Sequence, residues 1–308
     1  MTPVSARELI VLGTASQVPT RYRNHNGYFL RWDDEGLLFD PGEGTQRQMI
    51  RHGVTASQVT RLFVTHFHGD HCLGLASLCQ RVSLDRVPQA IDVFFPASGE
   101  VYWHRLRGAS IYHDVARLQP RPVTADGVVA ETERLVLEAR KLDHDVDCFG
   151  YRLSERAGRT MQPDALEAAG VRGRDIASLI ERGALQVGGR VVRLEDVSVP
   201  RPGQSMAFVM DTRRCEAAVE LARGVDLLVI ESTYLSSRAR EAYEHGHLTA
   251  HEAALIAKEA GARRLVLTHF SQRHPRVEPF LEEAGRVHDD VVAARDGDRI
   301  PVPARHSM

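Results

Sequence analysis

The chain has 308 residues, enough for one large α/β domain or two small ones, and 43% of them are apolar, enough to fill a core. No apolar run reaches the length of a membrane span, and the start, MTPVSARELIVLGTA, has no long apolar segment after a basic one, so neither an anchor nor a secretory leader is expected. The formal charge of −2 gives no global basic signature of nucleic-acid binding, although a nucleic-acid enzyme can confine its positive charge to one face.

In chain order, short apolar runs alternate with helical stretches. Segments 8–13 (ELIVLG), 27–32 (GYFLRW) and 36–40 (GLLFD) read as strands joined by polar turns, 45–51 (TQRQMIR) as a short helix, and 62–65 as a strand. Segment 91–95 (IDVFF) is a strand stopped by Pro96, and 134–139 and 150–153 are weaker strands. Residues 154–200 are rich in Arg, Glu and Gly and hold only short strands. They read as an arm inserted into one domain spanning 1–308, not as a second core. Segments 205–210 (SMAFVM), 226–230 (DLLVI) and 264–267 (RLVL) are stronger strands. Between 249 and 260 the spacing predicts a helix, because Thr249 and Glu252 form a capping box and Ala253, Ile256, Ala257 and Ala260 make one apolar face. Residues 299–308 are expected to fray. Cys72, Cys79, Cys148 and Cys215 form no C-x-x-C pair. They read as reduced thiols, and with the missing leader they point to the cytoplasm.

Four apolar strands run into residues able to bind a metal. The first leads into T-H-F-H-G-D-H, with His66, His68, Asp70 and His71. The stretch 135–142 leads to His144, 207–210 to Asp211, and 265–267 to His269. In layered α/β folds the ends of neighbouring strands lie side by side, so these groups can converge. Five imidazoles and two carboxylates suit two borderline cations such as Zn²⁺; one ion needs only three or four donors. In extended chain His66 and His68 point to the same side and can grip one ion. Gly69 lets the chain turn and aim Asp70 and His71 at another, and the two oxygens of Asp211 can bridge both. A lone histidine at a strand end is ordinarily structural, and Asp211 alone reads as a turn residue. Crowding so many polar groups without a partner would cost roughly 1–3 kcal/mol each.

H-x-H-x-D-H is the signature of the metallo-β-lactamase superfamily, and from about residue 9 to 274 the sequence resembles its ribonuclease Z family. Phe39-Asp40-Pro41-Gly42-Glu43-Gly44-Thr45-Gln46-Arg47-Gln48 is similar to that family's D-x-G-E-G-T-Q-x-Q segment, and Pro19-Thr20-Arg21-Tyr22-Arg23-Asn24 to its P-x-K-x-R-N loop. His144 with Phe149-Gly150-Tyr151, Asp211-Thr212, His247-Leu248-Thr249 and Leu267-Thr268-His269-Phe270-Ser271-Gln272-Arg273 match four further motifs. Arg21 stands for the usual Lys, Met210 for a Gly, His274 for a Tyr, and Gly173-Arg174 for a common Gly-Pro in the arm.

The resemblance implies an α/β fold, the αββα sandwich of two mixed sheets flanked by helices. It implies an endoribonuclease that removes the 3′ trailer from precursor tRNA, leaving a 3′-hydroxyl on the tRNA and a 5′-phosphate on the trailer. The implied cofactor is two Zn²⁺ per subunit, with Mn²⁺ as the alternative, and the implied assembly is a homodimer. His66, His68 and His144 would hold one ion, Asp70, His71 and His269 the other, and Asp211 would bridge. Asp70 is the expected base, His247 the expected proton donor and Glu231 the residue that orients it. Arg21, Arg23, Asn24, Thr212 and Arg273 are the expected substrate contacts. The arm's Arg152, Arg156, Arg159, Arg172, Arg174 and Arg182 are nearly balanced by Glu155, Asp164, Glu167, Asp175 and Glu181, so an RNA clamp and a solvated face both stand. The fold alone hosts many reactions, and a hydrolase of a small phosphodiester, sulfate or lactone is the alternative; a non-catalytic RNA binder would be expected to have lost some of the seven donors.

Overall fold

The computed structural model describes residues 7–304. Two seven-stranded mixed sheets lie face to face. The first takes β1 (Arg7–Gly13), β2 (Gly27–Trp32), β3 (Glu35–Phe39), β4 (Arg61–Phe63), β5 (Ile91–Pro96) and β6 (Leu118–Val123). The second begins with β7 (Gly127–Glu131), β8 (Leu135–Lys141) and β9 (Phe149–Glu155). The arm then intervenes, with β10 (Gly158–Met161), β11 (Ala184–Val187), β12 (Arg190–Arg193) and β13 (Ser198–Arg201). The second sheet resumes with β14 (Ser205–Val209), β15 (Leu227–Glu231), β16 (Arg264–Thr268) and β17 (Val291–Ala293), and β18 (Arg299–Pro301) returns to the first sheet beside β1.

The strands read as continuous apolar runs because both of their faces are covered. In β1, Leu9 and Val11 face the second sheet, while Ile10 and Leu12 face helices. The layer between the sheets is built on aromatic rings: Phe39 stacks on Phe63 at 4.7 Å and meets Phe208 of the opposite sheet at 4.7 Å, and Phe63 meets Tyr151 at 5.0 Å. Outside the first sheet lie α1 (Thr45–Arg51), the short α2 (Gly69–Cys72), α3 (Leu75–Leu84) and α4 (Glu100–Arg107). The arm holds α5 (Pro163–Ala168) and α6 (Arg174–Arg182). Outside the second sheet lie α7 (Glu216–Ala222), α9 (Ala250–Ala260) and α10 (Glu278–Ala284), while α8 (Ala239–Glu244) lies between β15 and α9 in the chain. The expected capping box closes α9: the Thr249 hydroxyl accepts from the Glu252 N–H at 3.2 Å, and the Glu252 carboxylate accepts from the Thr249 N–H at 2.9 Å. The fold is thus the αββα sandwich of the metallo-β-lactamase class.

Two expectations need correction. The arm is not limited to short strands, because α5 and α6 bury Leu166 and Leu179 in a small apolar cluster with Val171, Val192 and Val197. The segment expected to fray begins as a strand: Leu9 pairs with Ile300, and the Val302 N–H donates to the Arg7 carbonyl at 3.0 Å. Residues 305–308 of that segment lie outside the described residues.

Candidate metal centre

β3 and β4 run parallel in one sheet, and β14, β15 and β16 run parallel in the other, so their carboxyl ends open on one edge of the sandwich. Beyond β4 the chain stays extended through His68, which caps α2. Gly69 opens a right-handed helical turn that carries Asp70 and His71. The glycine this corner requires is Gly42, where a Cβ would lie 2.1 Å from the Asp70 carbonyl oxygen. Asp40, Asp211 and His269, each just past a strand, adopt left-handed backbone with φ of 42°, 45° and 61°. Such strain persists only where the surroundings over-determine it, and it clusters at functional sites.

All seven expected donors converge. His66, His68, His144 and Asp211 offer donor atoms within 4.8 Å of one another, as do Asp70, His71 and His269. Asp211 joins the two groups: its Oδ2 lies 3.6 Å from His66 Nε2 and 3.4 Å from His71 Nε2, and its Oδ1 lies 3.2 Å from His269 Nε2. Asp70 Oδ2 is 3.3 Å from His71 Nε2 and 3.4 Å from His269 Nε2.

The outward ring nitrogens are already engaged. His71 Nδ1 pairs with Asp40 Oδ2 at 2.8 Å, His269 Nδ1 with the Thr233 hydroxyl at 2.7 Å, His66 Nδ1 with the Thr65 hydroxyl at 3.1 Å, and His144 Nδ1 with the Gly246 carbonyl at 3.1 Å. Each of these rings is fixed with Nε2 facing inward, the arrangement that outer partners impose on metal-binding histidines. His68 is reversed, and its Nδ1 faces His66 Nε2 at 2.9 Å and His144 Nε2 at 3.4 Å. The inward cluster brings ring nitrogens together with few protons to share, and among the described residues the buried Asp211 Oδ1 finds no hydrogen bond. That donor set fits divalent cations. Gly246 must be glycine here, because its φ is +71° and a Cβ would lie 2.7 Å from His144 Nδ1.

Electrostatics oppose burial in the same place. Burial raises the Asp70 and Asp211 carboxyls, but the facing imidazoles outweigh it and hold both below the ordinary aspartate value. Burial lowers His71, but Asp211, Asp70 and Asp40 together raise it. His66, with less carboxylate around it, is lowered by burial.

His247 follows Gly246, and its Nδ1 lies 3.0 Å from Oε1 of the fully buried Glu231. Burial lowers the His247 imidazolium, but Glu231 and Asp211 outweigh it and raise its pKa to about 9. Glu231 also accepts the Thr212 N–H at 2.8 Å and the Thr233 hydroxyl at 2.6 Å. Because Thr233 Oγ1 also meets His269 Nδ1, one carboxylate organises both His247 and His269. Sequence reasoning missed Thr233 and gave Asp40 no role, since each depends on which way a short side chain points.

The cleft above the cluster measures about 380 Å³ and is lined by Ser16, Gln17, Val18, Tyr234, Gln272 and Arg273 beside the donors. Of the expected substrate contacts, Arg21 and Arg273 are exposed. The side chains of Arg23 and Thr212 are buried. The Arg23 guanidinium is buried, donates to the His274 carbonyl at 2.8 Å and lies over Phe270 at 5.1 Å. Thr212 is fully buried, and its hydroxyl donates to the Arg213 carbonyl at 2.7 Å. Asn24 Nδ2 donates to the Glu43 and His25 carbonyls at 2.9 and 3.1 Å. The exposed side chain that the reading passed over is Tyr22, 81% exposed at the loop tip.

Comparison with known proteins gives the same class. The metallo-beta-lactamase superfamily model matches residues 20–146, and the beta-lactamase superfamily domain model matches 189–270. "Ribonuclease Z" of Streptomyces avermitilis is 56% identical over 305 residues, covering 98% of this chain and 100% of that protein. "Ribonuclease Z" of Chlamydia muridarum is 46% identical over 293 residues, covering 95% and 96%. The crystal structure of the short form of human tRNase Z, 26% identical, superposes with a TM-score of 0.68 over 96% of this chain and 100% of that one. The chain belongs to the ribonuclease Z family.

Proposed function

We propose that this chain is a metal-dependent endoribonuclease that removes the 3′ trailer from precursor tRNA. The observation that carries this is one cleft lined by His68, Asp70, His144, Asp211 and His269 of the donor cluster and by His247, which pairs with the buried Glu231, in a chain 56% identical to a ribonuclease Z along nearly its whole length. In this reading His66, His68 and His144 would hold one ion and Asp70, His71 and His269 the other, with Asp211 between the two groups. Zn²⁺ is the proposed metal, with Mn²⁺ able to replace it; imidazole and carboxylate donors suit either. Divalent cations bound there supply Lewis acidity to the phosphoryl oxygens and make water a stronger acid.

The chain's own groups do the rest. Asp70 orients the attacking water and accepts its proton. Products with a 3′-hydroxyl on the tRNA and a 5′-phosphate on the trailer require the bond between phosphorus and the 3′-oxygen to break. The leaving atom is therefore the 3′-oxygen of the tRNA, not the 5′-oxygen of the trailer. His247, held at Nδ1 by Glu231, has Nε2 as its remaining nitrogen, and from there it protonates the 3′-oxygen. Arg21 and Arg273, both exposed, would contact the RNA in this reading.

The arm 154–200 is proposed as the part that grips the substrate away from the cut. Its separate apolar cluster supports this, since it lets the arm stand apart from the sandwich. The homodimer belongs to the same proposal. So does a cytoplasmic location, with which the four unpaired cysteines agree; no described helix is long and apolar enough to cross a membrane.

The test is incubation of the purified protein with a 3′-extended precursor tRNA and, in parallel, with bis(p-nitrophenyl) phosphate. Cleavage of the precursor at one position supports the proposal. Hydrolysis of the small diester alone would point to another hydrolase of this fold.

A further inference from the structure

The loop of residues 19–24 is held from both ends, and the hold at its far end comes from a residue distant in sequence. Between β17 of one sheet and β18 of the other, the chain turns through residues 295–298. That turn is fixed without reference to the loop: the Gly297 N–H donates to the Val11 carbonyl at 2.8 Å, the Val11 N–H donates to the Asp298 carbonyl at 2.9 Å, and the Arg295 N–H donates to the Asp298 carboxylate at 2.9 Å. Asp296 projects from it into three other elements. Its Oδ2 accepts the Asn24 N–H at 2.6 Å and the Gln48 side-chain amide at 3.2 Å, and its Oδ1 accepts the Thr14 hydroxyl at 2.8 Å. One carboxylate thus fastens the end of β1, helix α1 and the loop to a point where the two sheets are joined.

The rest of the loop is built to match. Thr20 Oγ1 accepts the Tyr22 N–H at 3.2 Å and the Arg23 N–H at 3.0 Å, and the Thr20 N–H donates to the Arg23 carbonyl at 2.9 Å. Arg23 hooks the loop to the His274 carbonyl, on the segment that follows His269. The tip points outward: Tyr22 is 81% exposed, with the Arg21 guanidinium 5.9 Å from its ring centre. A braced loop that exposes an aromatic ring beside an arginine is a surface on which an unpaired base can stack. How that surface is aimed depends on the Asn24 anchor, because a charge-assisted bond to a backbone N–H is stronger than a neutral one.

We propose that Asp296 is a positioning residue for the RNA substrate, holding Asn24 so that Arg21 and Tyr22 face the acceptor end of the precursor. The inference rests on the reading that this loop meets RNA. Asp296 touches neither the donor cluster nor the cleft lining, so its loss acts on substrate binding and not on the chemistry.

The test is steady-state cleavage of a 3′-extended precursor tRNA, with bis(p-nitrophenyl) phosphate as a substrate too small to reach the loop. Asp296→Ala is expected to raise KM for the precursor about tenfold while kcat and the small-diester rate stay within about twofold. Asp296→Asn keeps an oxygen for the Asn24 N–H and is expected to restore most of the affinity; it also serves if the alanine variant folds poorly. In an Arg21→Ala/Tyr22→Ala background, Asp296→Ala is expected to add little, since both changes act through one surface. A raised KM in that double variant with an unchanged KM in Asp296→Ala would overturn the inference alone. An unchanged KM in both would overturn the loop reading together with it. Equal loss on both substrates in the Asp296 variants would mean that the carboxylate only supports the fold.

Discussion

Nδ1 of His247 lies 3.0 Å from Oε1 of Glu231, and the other oxygen of that carboxylate receives the Thr233 hydroxyl that meets His269. A single buried group therefore sets both the proposed proton donor and one proposed metal-binding ring. His247→Ala is expected to keep its metal and lose roughly 10²–10⁴-fold in cleavage rate. Glu231→Gln, which keeps the shape but loses the charge, is expected to lose about 10–100-fold. Single-turnover cleavage alongside metal analysis checks both. A normal rate in His247→Ala would remove it from the mechanism.

The donor cluster predicts that metal and activity are lost together. His68 is the ring held mainly by the other inward nitrogens, so His68→Ala leaves the outer hydrogen bonds of the cluster intact. It is expected to bind less metal and to lose activity in proportion. Chelated wild-type protein is expected to regain cleavage on addition of Zn²⁺ or Mn²⁺ and to melt at a higher temperature when loaded, as any ligand of the native state requires. Retained activity in metal-free protein would contradict the proposed ligand set.

The arm joins the sandwich through the β10–β13 pair, with Gly158 opposite Arg201, and carries its own apolar cluster. Deleting residues 158–201 is expected to leave a folded protein that hydrolyses the small diester at a near-normal rate. KM for precursor tRNA should rise by about tenfold or more. An unchanged KM would favour the solvated-face reading of its balanced charges.

Arg7 ties the first sheet to the second by gripping Glu155 at 2.7 and 3.0 Å and Asp33 at 2.6 Å, with side chains of Arg7 and Glu155 only 6% and 7% exposed. Burial raises the Glu155 carboxyl, but Arg7 outweighs it and the pKa falls below the ordinary 4.5. A depressed carboxyl stabilises the fold above its unfolded value, and that stability is lost as pH drops through the folded value. Glu155→Gln is expected to cost about 2 kcal/mol at neutral pH, moderated by solvent and Arg201 at the edge of the pair. The gap between the two proteins should begin to narrow as pH falls below 4.5 and close only once pH drops beneath the lowered folded value, which urea melts across pH can follow.

Much of this site was legible in the sequence because its signals are local. H-x-H-x-D-H packs four donors into six positions, and the strands leading to Asp211 and His269 are continuous apolar runs because both faces are buried. What escaped notice depends on distance or on very short elements. The α2 turn is four residues long, too short for a period. Helix α6 has Ile176 and Leu179 at helical spacing between Gly173 and Gly183, but its charged composition obscured the pattern. Thr233 and Asp296 act through contacts 36 and 272 residues away, and no spacing rule reaches that far. In the P-T-R-Y-R-N loop charge drew attention to Arg23, whereas folding turns that guanidinium inward and leaves Tyr22 outside.

The most direct measurement is a map of the ends produced when metal-loaded protein meets a 3′-extended precursor tRNA. A single cut next to the acceptor stem, with a 3′-hydroxyl on the tRNA and a 5′-phosphate on the trailer, is the predicted result. A 2′,3′-cyclic phosphate on the tRNA, progressive nibbling from the trailer end, or no cut at all by fully loaded protein would contradict the account.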